Sequence, residues 1–165
     1  MKLMLKLLAL ALTCAVLNAA AQNNLRRLPP IPGEPVKTSL SDVQAAIRTL
    51  VALDVAVTIQ THTNYAEPVA YHFRAVADVF KLMPTNGTFS VEHLRAELAK
   101  LLPPAEVDLS GVREAIVTVY ARAYAHRGRA SIPNLEYLTG ISTTFAQAIR
   151  EGISKGGKSA VVSER

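Results

Sequence analysis

Downstream of residue 38 the apolar positions recur every three or four residues, the period of helices that bury one face. Ser39 and Asp42 stand at the N-cap and N3 of a first helix, where a serine oxygen accepts an orphan backbone N–H. Val43, Ala46, Ile47, Leu50, Val51 and Val55 carry its stripe. From Leu53 the same stretch also alternates at period two through Val55, Val57 and Ile59, as a strand would. No turn residue interrupts it, so it reads as one long, largely buried helix. A second helix is predicted from Glu67 to Met83, with Pro68 in its first turn and Val69, Phe73, Val76, Ala77 and Phe80 inward. Pro84-Thr85-Asn86-Gly87 predicts a stop and a turn.

Ser90 caps a third helix with Val91, Leu94, Leu98, Leu101 and Leu102 apolar, Glu92 near its positive end, and Pro103-Pro104 as its stop. A fourth spans Leu109 to Arg127. Val112, Ile116, Val119 and Ala123 form its stripe, Tyr120 and Tyr124 widen it, and Gly128 ends it. A short fifth helix opens at Ser131-Ile132-Pro133 and stops near Gly140, and a sixth runs from Ser142 to Ser154. The connections are short and no repeat is visible, which predicts an all-α compact bundle of five or six helices over residues 39–154. Gly156-Gly157 suggests a flexible C-terminal tail over residues 155–165.

The first 38 residues have a different grammar. Lys2 and Lys6 precede an apolar run from Leu7 to Leu17, and Ala19-Ala20-Ala21 places small residues before Gln22. This is the order of a cleavable signal peptide, residues 1–21, and the run is shorter than the roughly 20 residues that cross a bilayer. Residues 22–38 follow as a proline-rich extended spacer, with Pro29, Pro30, Pro32 and Pro35. The expected location is secreted or periplasmic, with membrane contact only through the leader if it is uncleaved.

Composition sharpens this picture. The one cysteine, Cys14, lies in the leader, so the remaining 144 or so residues would have no disulfide, thiol nucleophile or thiolate metal site. Loss of Lys2 and Lys6 takes the formal charge from +5 to +3, a mild basic bias rather than the footprint of a nucleic-acid binder.

Candidate chemistry is sparse. Asp54 stands among Val51, Leu53, Val55 and Val57, where a carboxylate would be partly buried and its pKa raised, unless it pairs with Arg48. His93 and Glu97 have the i, i+4 spacing of half a metal site, but a solvated helix face explains them far better. There is no phosphate loop and no G-x-S-x-G. No catalytic residue, metal or cofactor is assigned. The densest basic cluster is Arg122, His126, Arg127 and Arg129, interleaved with Tyr120 and Tyr124.

Residues 134–152 contain Leu135, Leu138, Gly140, Ile141 and Ser142 in an order that resembles the helix-turn-helix of DNA-binding regulators, with Phe145 and Ile149 as apolar positions of a recognition helix. The resemblance implies that Thr143, Thr144, Gln147 and Arg150 face DNA. The sequence departs from that motif at Glu136 and in the short step from Gly140 to Phe145.

The reading adopted is a non-enzymatic, exported helical interaction module that binds a protein or an envelope or cell-surface component. Its expected contact residues are Tyr120, Arg122, Tyr124, Arg127 and Arg129, residue types that bind partners well. The alternatives are the DNA-binding reading of residues 134–152 and a small exported enzyme using Asp54 or His93.

Overall fold

Among the described residues the fold consists of five α-helices and two short 3₁₀ turns, with no strand. The computed structural model describes residues 39–130 and 132–162. The leader and spacer expectations lie outside these residues. The helices are α1 (Leu40–Thr61), α2 (Ala66–Asn86), α3 (Val91–Lys100), α4 (Ser110–Ala125) and α5 (Asn134–Val162). The turns are Thr63–Tyr65 and His126–Arg129. None of these helices is long and apolar enough to cross a membrane.

The Ser39 hydroxyl accepts from the Asp42 N–H at 3.3 Å and starts α1. Its buried residues are Ile47, Val51, Ala52, Val55, Ala56 and Ile59, spaced for one helix face. Leu53 is 42% exposed. A strand would have put Leu53 on the same side as Val55 and Ile59, so the helical period wins along the whole segment.

The second helix runs three residues beyond the predicted stop. Pro84 sits in its last turn, where the missing N–H forfeits one backbone bond and the helix is already ending. Gly87 then takes the left-handed conformation, φ 66°, and its N–H and that of Thr88 return to the last-turn carbonyls of Pro84 and Met83. α3 is capped by Ser90, whose hydroxyl accepts from the His93 N–H at 3.1 Å. It stops at Lys100, earlier than the sequence suggests, so Leu102 leaves the helix and stands 88% exposed. The residue before a proline is pushed toward extended geometry, which disfavours helix at Leu102, and Leu101 has already left the helix with φ −81° and ψ 115°. At the start of α4, the Asp108 carboxylate accepts from the Ser110 N–H at 2.9 Å, and these bonds to Ser110 hold its pKa low.

The predicted fifth and sixth helices are one. α5 passes without a break through Gly140, Ile141 and Ser142 and continues through Gly156 and Gly157 to Val162, where the sequence suggested a tail. Gly140, Gly152 and Gly156 serve packing, not turning. A Cβ on Gly152 would lie 2.6 Å from the Ala52 carbonyl oxygen and 2.7 Å from the Val55 Cβ. One on Gly156 would lie 2.9 Å from the Ile59 Cβ. Two glycines one turn apart therefore let α5 settle directly on the α1 backbone.

Against that pair, α2 and α4 complete a common core. Phe80 of α2 stacks on Phe145 of α5 at 4.7 Å, and Tyr120 of α4 meets Phe145 edge-on at 5.5 Å. The buried tyrosine hydroxyls are satisfied: Tyr120 donates to the Phe89 carbonyl at 2.5 Å and Tyr137 to the Ala123 carbonyl at 2.9 Å.

The α1–α5 contact yields a paired test. In Gly152→Ala the added methyl meets backbone, which cannot swing away, so a net loss of about 1–3 kcal/mol is expected despite alanine's better helix propensity. In Gly157→Ala the methyl meets nothing within 4 Å, and a gain of about 0.5–1 kcal/mol is expected. Urea denaturation followed by circular dichroism measures both. Equal effects of the two substitutions would refute the close contact.

Candidate functional site

The basic end of α4 is less open than its sequence suggests. Tyr120 is fully buried in the aromatic cluster, so it belongs to the core and not to a contact surface. Tyr124 is half-buried against the same core. Its ring carries the Arg127 guanidinium at 3.9 Å, and Arg127 also donates to the Tyr124 carbonyl at 2.9 Å. This stack is worth about 0.5–1 kcal/mol at an exposed site, and it places a cation at the negative end of the helix. Arg122 is exposed on the last turn. The side chain of Arg129 lies outside the described residues.

The other sequence candidates stay apart. Asp54 is half-buried on α1, where burial raises its carboxyl pKa. Among the described residues it forms no ion pair with Arg48. His93 and Glu97 approach to 4.0 Å, but Glu97 is held more closely by Lys100 at 2.6 Å. No group of three or more metal-ligating side chains gathers among the described residues. In the region that resembles a helix-turn-helix, α5 is continuous, so the turn between two helices is not formed. Thr144 is buried and donates to the Gly140 carbonyl at 2.8 Å, while Arg150 pairs with Asp78 of α2 at 3.0 Å. Thr143 and Gln147 are exposed.

A cleft of about 490 Å³ opens elsewhere, where the first turns of α2 face the α3–α4 connection. This volume falls within the ordinary range of ligand sites. From α2 come Glu67, Pro68, Tyr71 and His72. Pro68 fits the first turn because the N–H it lacks would have no helical partner there. Tyr71 faces outward, 70% exposed, and His72 faces inward, 3% exposed. From the connection come Leu102, Pro103, Pro104 and Glu106. The two prolines turn this segment out of α3, and the buried Val107 and Leu109 anchor its far end in the core. Arg113 of α4 secures the near end by donating to the Leu98 carbonyl and, at 3.4 Å, to the Leu101 carbonyl.

His72 joins the two walls. Its Nδ1 lies 3.3 Å from the Leu102 carbonyl oxygen, which can only accept, so Nδ1 carries the proton. Nε2 is then an acceptor, buried and without a hydrogen-bond partner among the described residues. Burial pushes the imidazole's pKa below its ordinary 6.5; the Leu102 carbonyl opposes that shift and the Arg113 charge adds to it. The neutral ring is therefore the resting form near pH 7.

Sequence reasoning missed this cleft, although two signals were present. His72 lies three residues after Val69 and four before Val76, on the inward face of α2. The Pro103-Pro104 pair excludes Leu102 from α3. With the geometry in hand, comparison of the chain with protein-family models, curated proteins and solved structures finds no match.

The buried imidazole couples stability to pH. Because its native pKa is depressed, the unfolded chain takes up the proton first as pH falls. The contribution of His72 is fully present above about 6.5 and is lost progressively as pH drops from there toward the native pKa. Urea unfolding at a series of pH values between about 7.5 and 5.5 should show stability declining with acid, and His72→Gln should flatten the decline. An unchanged slope in the variant would remove His72 as its source.

Proposed function

We propose that this chain is an exported, non-enzymatic helical module that binds another protein or an envelope or cell-surface component, and that the cleft between α2 and the α3–α4 connection is its contact site. One observation carries the reading: two large side chains, Tyr71 and Leu102, stand exposed on either side of an open cleft while the bundle beneath them is closely packed. Burying such side chains on a partner removes apolar surface from water, and tyrosine adds a hydroxyl to orient the contact. Export rests on the order of basic, apolar and small residues before Gln22.

The basic end of α4 supports a second contact surface, narrower than the sequence reading. Arg122 is exposed and the Arg127–Tyr124 stack is already ordered, so an acidic partner would find these cations in place. Tyr120 is excluded from that surface by its burial. The DNA-binding alternative loses the helix pair on which it depended, because residues 134–152 lie within one helix.

Because Tyr71 and Leu102 are exposed, Tyr71→Ser with Leu102→Ser should leave stability within about 0.5 kcal/mol. The same change should weaken a captured partner at least tenfold, about 1.4 kcal/mol. Quantitative binding of the full chain and this variant is the measurement. Equal affinity, together with loss in Arg122→Ala/Arg127→Ala, would move the contact to α4. Export has its own test: N-terminal sequencing of protein recovered outside the cytoplasm should begin at Gln22. An intact Met1 chain in soluble cytoplasm would refute it.

A further inference from the structure

The cleft's charged and lone-pair-bearing groups share one sign. Glu67 and Glu106 are exposed carboxylates, no lysine or arginine among the described residues lines the cleft, and its three prolines have no N–H to donate. The His72 proton is turned to the Leu102 carbonyl, which leaves the Nε2 lone pair as a further buried acceptor. Glu67 does have a partner, Arg74 at 3.0 Å, but both side chains are solvent-exposed. Such pairs contribute little and are readily exchanged for another cation. An exposed tyrosine ring adds a face on which a cation can stack.

We propose that the cleft takes the guanidinium or ammonium side chain of an extended cationic peptide belonging to a partner protein. This deepens the contact-site reading above and rests on it. The apolar parts of the cleft, Leu102 and its prolines, pack on the stem of the arginine or lysine, and the carboxylates meet its head. Proline neighbours in the ligand suit the site, because an extended proline-rich strand lays apolar rings on an aromatic surface at little entropic cost.

The chain itself contains such a sequence, Arg26-Arg27-Leu28-Pro29-Pro30; the occupant proposed is a separate partner, and the chain's own segment is an outcome of the test.

The probe is the blocked peptide acetyl-Leu-Arg-Pro-Pro-amide, titrated into the full chain by calorimetry and by NMR of the Tyr71 and His72 rings. Two controls replace its arginine by citrulline, which keeps the shape without the charge, and by glutamate. The arginine peptide should shift both rings and bind at least tenfold more tightly than the citrulline peptide. Its affinity should fall with added salt, and Glu67→Gln/Glu106→Gln should lower it at least tenfold. Equal binding of the arginine and citrulline peptides would overturn the cationic assignment. Preferred binding of the glutamate peptide with shifts at His72 would overturn it too, while leaving the cleft a contact site. If the arginine peptide binds only an Arg26→Gln/Arg27→Gln chain, the chain's own segment is the occupant and the partner assignment fails. If no peptide binds while Tyr71→Ser/Leu102→Ser still weakens a captured partner, the ligand class alone is refuted. If neither effect is seen, the contact site falls as well.

Discussion

The seam between α1 and α5 is the contact on which the rest of the bundle depends. Gly152 and Gly156 remove two side chains from α5 where it meets Ala52, Val55, Ala56 and Ile59 of α1. The helices therefore touch backbone to side chain instead of being held apart by two layers of side chains. Dispersion falls steeply with distance, so that closeness matters more than the small area of the glycines suggests. With α1 and α5 joined, Phe145, two turns before Gly152 along α5, gives Phe80 and Tyr120 a common surface. The aromatic cluster, and through it the placement of α2 and α4, follows from the pairing.

The cleft is a by-product of that arrangement and of one pair of prolines. α2 is fixed by its aromatic contacts, and α4 is fixed through Tyr120. The connection between α3 and α4 must cross the start of α2. Pro103 and Pro104 keep it from continuing as helix, so it leaves Leu102 outside and its carbonyl within reach of His72. The imidazole thus serves two ends. It fills an inward position of α2, and its one shared proton ties the crossing segment down. A buried polar atom that keeps an unused lone pair beside an open cleft is costly as packing and useful as chemistry.

Much of the architecture was legible along the chain. The caps at Ser39 and Ser90, the stripes of α2 and α4, and the helical period of α1 were readable because each is local and repeats several times. Gly140 misled for a physical reason. A glycine between two apolar runs has the same sequence appearance whether it turns the chain or admits a neighbouring helix, and only the approach of Leu40 at 3.1 Å from its would-be Cβ tells which. Tyr120 misled likewise: interleaved with the arginines it has the look of a contact residue, yet the Phe89 carbonyl satisfies its hydroxyl inside the core. The cleft was hidden because its two walls lie some thirty residues apart, His72 on one and Leu102 on the other, and no local pattern joins them.

The order of the helices has a kinetic consequence. The first helix of the bundle takes the last as its main companion: Ala52 meets Gly152, a hundred residues later in the chain. Loops that long close slowly, and contacts so far apart in sequence reward the chain only late in folding. During synthesis α1 emerges with its apolar face uncovered and stays so until α5 has left the ribosome. The growing chain is therefore held back from its native packing until α5 has emerged, which leaves it open to chaperones in the meantime.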